Sequence, residues 1–188
     1  DRIGFHATPY LRADEGRIQK WKERLAEADG AKIGIAWQGN PSFKQDQFRS
    51  IPLAEFTPVI KNDSATFISL QKSHGEEQLE KFEFKDRIRV FEDLDEEGGA
   101  FMDTAALMSG LDLMVTSDSA IAHLAGALGV KTYLLLPFAA DWRWFSQRKD
   151  CPWYPTVQMF RQAKRGDWAP LFAEITQKLL SDQAVTAS

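Results

Sequence analysis

Apolar positions along the chain fall into two alternating kinds of segment. Short apolar runs at 32–37, 66–70, 87–91, 111–116, 131–137 and 157–160 read as strands covered on both faces by other elements. Between them the spacing turns helical. Ile18, Trp21 and Leu25 recur on one face among Lys, Arg and Glu, predicting a helix from Asp14 to about Asp29, with Gly30 placed as its C-terminal cap. Further helices are predicted over 53–60, 76–84, 101–109, 120–128 (ending at Gly129) and 170–180, while the stretch through Gln47 reads as a polar loop. Strands alternating with helices at this spacing imply an α/β fold with a parallel sheet flanked by helices on both faces, because parallel neighbours need crossover connections. Ligands of such sheets bind beyond the carboxyl ends of the strands.

Residues 14–181 then form one Rossmann-like domain, 1–13 a linker ending in a short anchored segment, and 182–188 a mobile tail. A length of 188 residues, 44% of them hydrophobic, suits one domain with a sizeable core.

Charge narrows the partners. A net charge of −4 lacks the clustered Lys and Arg that binding nucleic acid needs. No run is long and apolar enough to span a membrane and no signal pattern opens the chain, which predicts a cytoplasmic protein. The lone Cys151 has no second thiol and reads as inert. The histidines His6, His74 and His123 form no ligand spacing, so no metal is expected. Asp93-Leu94-Asp95 after a strand is a candidate for a divalent metal bridging a diphosphate, but Glu92, Glu96 and Glu97 around it favour a solvated acidic loop. No Gly-x-Gly-x-x-Gly turn, Gly-Lys-Ser/Thr loop or Gly-x-Ser-x-Gly elbow occurs, which disfavours nicotinamide binding, P-loop hydrolysis and serine-hydrolase chemistry.

The densest chemistry lies at Val115–Gly129: a strand, a hydroxyl-rich turn, and a helix. A helix N-terminus offers unpaired N–H groups and partial positive charge, so it favours an anion. Asp118, Ser119 and Ala120 stand at that end, and side chains lean toward a helix's N-terminus, so His123 leans the same way. The small residues Ala122, Ala125, Gly126 and Ala127 allow close packing of this helix. On the residues alone, Ser117 or Asp118 capping an ordinary helix, with His123 a satisfied side chain, remains an equal reading. Four of the six tryptophans, Trp142, Trp144, Trp153 and Trp168, crowd the last third, where they either line a pocket or bury a rim.

Residues 117–129 resemble the Asp-Thr/Ser-Gly/Ala-x-x-His-x-x-x-Ala-x-Gly signature of heptosyltransferase-like proteins (glycosyltransferase family 9), with Ser119-Ala120 where the family often has Thr-Gly. Trp37–Pro41, Arg49–Leu53, Ser69–Lys72 and Leu136–Trp144 are similar to transferase domains that end bacterial tetratricopeptide-repeat proteins. The resemblance runs from about residue 30 to about residue 170. It implies the C-terminal, donor-binding half of a two-domain GT-B glycosyltransferase. The implied phosphate-binding residues are Gly39, Asn40, Arg49, Asp118, Ser119, Ala120 and His123. Gln71, Lys72, Phe101 and Met102 fall on the nucleoside side, where Asp103 joins Phe101 and Met102 in opening a helix beside the base. Asp141, Trp142 and Arg143 form either a sugar-side loop or a packed, capped turn.

The implied reaction needs no cofactor or metal: the nucleotide-sugar is a substrate and the acceptor, glycan or protein, is unidentified. A complete transferase has an N-terminal acceptor domain, on which the general base is expected. Two other readings stay open, a non-catalytic nucleotide-binding or scaffold module of a tetratricopeptide-repeat protein, and a nucleotide-sugar epimerase.

Overall fold

A computed structural model describes residues 9–186. In chain order the elements are α1 (Glu15–Leu25), β1 (Ala31–Ala36), α2 (Asp46–Arg49), α3 (Thr57–Ile60), β2 (Ala65–Ser69), α4 (Glu77–Glu80), β3 (Ile88–Arg89), α5 (Met102–Met108), β4 (Leu113–Ser117), α6 (Ala120–Leu128), β5 (Thr132–Leu136), β6 (Val157–Arg161) and α7 (Ala169–Thr186). The six strands form one parallel sheet in the order β3-β2-β1-β4-β5-β6. Ile33 of β1 sits opposite Phe67 of β2 and Leu113 of β4. The order reverses between β1 and β4, so the connections leaving these neighbours run apart and open a crevice at their carboxyl ends.

Both faces are covered, as the unbroken apolar strands require. On one face Ile33, Ile35, Phe67, Val115 and Leu135 meet Phe56, Val59, Phe172 and Ile175, with the Phe56 and Phe172 rings 4.8 Å apart. On the other, Ile68 and Met114 meet Trp21 and Leu25 of α1, Leu107 of α5 and Ala125 of α6. Leu134, Leu136 and Met159 extend that layer toward Trp144 and Tyr154. No helix among the described residues is long and apolar enough to cross a membrane.

Where the elements depart from the sequence pattern, a local cause is visible. The helix predicted over 53–60 is divided into a 3-10 turn at Leu53–Phe56 and α3, in whose first turn Pro58 stands without an N–H. The helix predicted over 76–84 lasts a single turn, because Phe82 and Phe84, two residues apart, both turn to the core and no helical face holds that spacing. Gly30 does not cap α1, which ends at Leu25 with Ala26 as its cap. It is the left-handed residue of the turn into β1, where a β-carbon would stand 2.4 Å from the Ser64 carbonyl oxygen.

At the far end α7 carries on through 182–186, most of the stretch expected as tail. Asp182 anchors it by accepting from Lys131 Nζ and Tyr133 Oη, both at 2.6 Å. Of the expected linker, Tyr10 and Leu11 donate to the Ala127 carbonyl and Pro9 packs on Gly129. Residues 1–8, 187 and 188 lie outside the described residues. The free edge of β6 is met by the passing chain: Asp150 bridges Gln158, and Met159 N donates to the Lys149 carbonyl at 2.7 Å.

Candidate functional site

The crevice between β1 and β4 has two lobes. One, of about 590 Å³, runs past α5; the other, of about 230 Å³, runs toward the loop after β5. Arg49, Ser119 and Ala120 line both and stand where the lobes join.

The β4–α6 turn builds the junction. Ser119 is extended (φ −142°, ψ 178°) and caps α6 without a side-chain hydrogen bond, while Gly129, left-handed at φ +76°, closes the helix. Ser119 is only 8% exposed, and among the described residues its hydroxyl has no partner, nor has that of Ser117. Buried polar atoms are nearly always paired, so the Ser119 hydroxyl, which lines the crevice, points to a bound group or water there.

From the other side comes the loop after β1. Gly39 N donates to Ser50 Oγ, which donates to Asp46 Oδ2, and the other Asp46 oxygen accepts from Arg49 Nε at 3.0 Å. Asp46 is 4% exposed, and the Arg49 guanidinium also lies 4.6 Å above the Phe43 ring. The supposed loop therefore contains a helical turn, α2, which aims Arg49 into the crevice. Asn40 lines the larger lobe, and its side chain turns its own loop by accepting from Ser42 N.

Gln71 holds this loop rather than offering its amide to a ligand. Its Oε1 accepts from Trp37 N and Gln38 N, both at 2.9 Å, and its Nε2 donates to the Gln38 and His74 carbonyls, which fills the amide's capacity. Lys72 and Phe101 line the larger lobe, Phe101 left-handed at φ 67° with its ring half-exposed. Met102, exposed, lies outside that wall. Asp103 is buried and accepts from Arg17 at 2.6 Å and Trp21 at 3.0 Å, a structural tie between α5 and α1.

On the smaller lobe, the Asp118 carboxylate accepts from Trp144 Nε1 at 2.8 Å. Burial raises its pKa against the opposing pull of Trp144, Arg49 and His123. As an acceptor its side chain has nothing to donate to phosphate, so what it contributes is the placement of Trp144. That indole stacks on His123, centroids 4.8 Å apart at 25°. His123 Nδ1 shares a hydrogen with Tyr154 Oη at 3.1 Å, and burial lowers the imidazole's pKa despite Asp118, favouring the neutral ring at neutral pH. Asp141 and Arg143 line this lobe as well, and the loop is a capped turn: Asp141 accepts from Arg143 N and Nη1. Trp142 is 73% exposed and lies outside the lobe.

The acidic segment is structured rather than merely solvated. Asp93 takes a bidentate grip from Arg24, and Asp95 caps α5 by accepting from Asp103 N and from Thr104 N and Oγ1. Among the described residues no cluster of His, Cys, Asp or Glu is placed to hold a metal ion. Cys151 is buried, which raises its thiol pKa and leaves it protonated.

Asp46 and Tyr154 were absent from the sequence expectations. Asp46 had a signal, its i,i+3 spacing to Arg49, whereas Tyr154 reaches His123 from 31 positions away and only Gly126, a glycine inside a helix, hinted at a close neighbour.

The crevice therefore joins a helix N-terminus, a buried unpaired hydroxyl and a cation at one point, an arrangement suited to an anion with extended groups on either side. The E. coli ADP-heptose LPS heptosyltransferase II structure superimposes with a TM-score of 0.68 at 15% sequence identity, over 96% of this chain and 55% of that one. The chain has a heptosyltransferase-like fold. FlbA of Caulobacter vibrioides is 28% identical over 179 residues, which cover 90% of this chain and 28% of FlbA. The chain thus spans just over half of the solved heptosyltransferase and less than a third of FlbA. No family model matches it. A heptosyltransferase-like fold is of the GT-B, Rossmann-like kind, in agreement with the strand order.

Proposed function

We propose that the chain is the donor-binding domain of a metal-independent glycosyltransferase and holds the diphosphate of a nucleotide-sugar where the two lobes meet. The observation that carries this reading is the buried, unpaired hydroxyl of Ser119 at the N-terminus of α6, facing a crevice that Arg49 shares. An anion there accepts from Ser119 and the first N–H groups of α6, and Arg49 supplies charge-assisted donors. The larger lobe takes the nucleoside beside Phe101, and the smaller one the sugar beside His123 and Arg143.

As the glycosidic bond breaks, negative charge grows on the leaving diphosphate. Fixed donors already aimed at that charge stabilise it more in the transition state than in the ground state. Activation of the acceptor hydroxyl is assigned to residues outside this site, on the acceptor domain that the reading requires.

Calorimetric titration of the chain with ADP, UDP, GDP and CDP tests the proposal. At least one is expected to bind, and binding is expected to weaken in Arg49→Ala and His123→Ala. Silence across all four, with melting temperature unmoved, would falsify it. A transfer assay on the full-length protein then separates a transferase from a nucleotide-binding module without turnover.

A further inference from the structure

His123 is held from three sides. Trp144 stacks on one face of the ring, the edge of Tyr154 meets it with centroids 5.9 Å apart, and Nδ1 lies 3.1 Å from the Tyr154 hydroxyl. Beyond, the Tyr154 hydroxyl is 3.4 Å from that of Tyr10. Tyr10 hangs on the same helix as His123, through its N–H to the Ala127 carbonyl at 3.0 Å, and its ring is 66% exposed. Gly126, three residues along α6 from His123, makes room for this partner: a β-carbon there would stand 2.4 Å from Tyr154 Cγ. Asp118, Asp141 and Arg143 are the charged groups acting on the imidazole, and none of them hydrogen-bonds to it.

We infer that Tyr154, backed by Tyr10, is a positioning residue that keeps the His123 proton on Nε2, the nitrogen left for an anion in the crevice. A phenol has a single proton. When Tyr10 donates to Tyr154, that proton points at Nδ1, and a neutral imidazole accepting at Nδ1 carries its own hydrogen on Nε2. With the opposite tautomer, Nε2 would present a lone pair to the phosphate and repel it. This role rests on the diphosphate reading above and adds what decides the direction of the His123 hydrogen bond.

Tyr154→Phe keeps the ring on Gly126 and removes the hydroxyl. In the 188-residue chain labelled with 15N-histidine, wild type is expected to show His123 with a protonated Nε2 and a bare Nδ1. Tyr154→Phe is expected to show a mixture of tautomers and an affinity for inorganic pyrophosphate lower by about three- to tenfold, the worth of one hydrogen bond. Tyr10→Phe should move both readouts the same way by less, and serves if Tyr154→Phe does not fold. A wild-type nitrogen pattern in both variants, or a proton on Nδ1 in wild type, overturns the role. Failure of wild type to bind pyrophosphate would remove the diphosphate reading instead, and the nitrogen spectra would still decide what Tyr154 does.

Discussion

Arg49 fills the space that a side chain on residue 39 would need: a β-carbon added to Gly39 would stand 2.6 Å from Arg49 Nη2 and 2.5 Å from Asp46 Oδ1. Gly39 is therefore required by steric room, its φ lying outside the left-handed region. Gly39→Ala should push the guanidinium out of the crevice and weaken nucleoside diphosphate binding about tenfold, or ~1.4 kcal/mol. Equal affinities of variant and wild type by titration calorimetry would overturn this steric link between Gly39 and Arg49.

Asp46 acts through Arg49. Arg49→Ala should cost about 1–3 kcal/mol of diphosphate affinity, the worth of charge-assisted hydrogen bonds, and Asp46→Ala a fraction of that. Combining them should cost no more than Arg49→Ala alone, because a residue that only aims another has nothing left to lose. Additive losses in the double-mutant cycle would mean that Asp46 serves the site by some other route.

Gly126→Ala is expected to lower thermal stability. The added methyl meets the Tyr154 ring at 2.4 Å, and overpacking of this kind costs about 1–3 kcal/mol, or a few degrees in melting temperature for a domain of this size. Melting at or above the wild-type temperature in calorimetry would contradict that close contact.

Asp182 links stability to acid pH. Burial works to raise its pKa, but hydrogen bonds from Lys131, Tyr133 and Lys178 outweigh it and hold the value at about 2, against 3.8 for an unperturbed carboxyl. A carboxyl depressed on folding stabilises the fold above its unfolded pKa and loses that contribution as pH falls through the folded value. Asp182→Asn should therefore melt below wild type at pH 7, and the gap should close between pH 4 and pH 2. A gap that stays constant with pH would assign the loss to packing rather than charge.

The layering of the molecule was written in the sequence because buried parallel strands must be apolar on both faces, as in the run at 132–136. The bounds of the helix from Ala120 to Leu128 were legible, with Gly129 a clear stop at its end, whereas its cap is Ser119 and not the Ser117 or Asp118 that the sequence offered. Short elements were less so. β3 keeps only two residues of the strand expected at 87–91, and α2, a single turn too short to establish a period, owes its form to Asp46 being buried against Arg49 and Ser50. Within the candidate site, the β4–α6 turn could be placed at the crevice from its position after a strand, whereas the contacts of Gln71 and Asp118 depend on partners 33 and 26 positions away in the chain. Long-range partners leave no local periodicity to read.

An open sheet has two borders, and each invites a foreign strand to continue the ladder. Here β3 offers a visitor only two residues, one of them charged, and the border at β6 is already taken in part by the strip at Lys149 and Asp150. Neither border of a sheet this apolar at its centre therefore presents a long, free ladder for a second copy to extend.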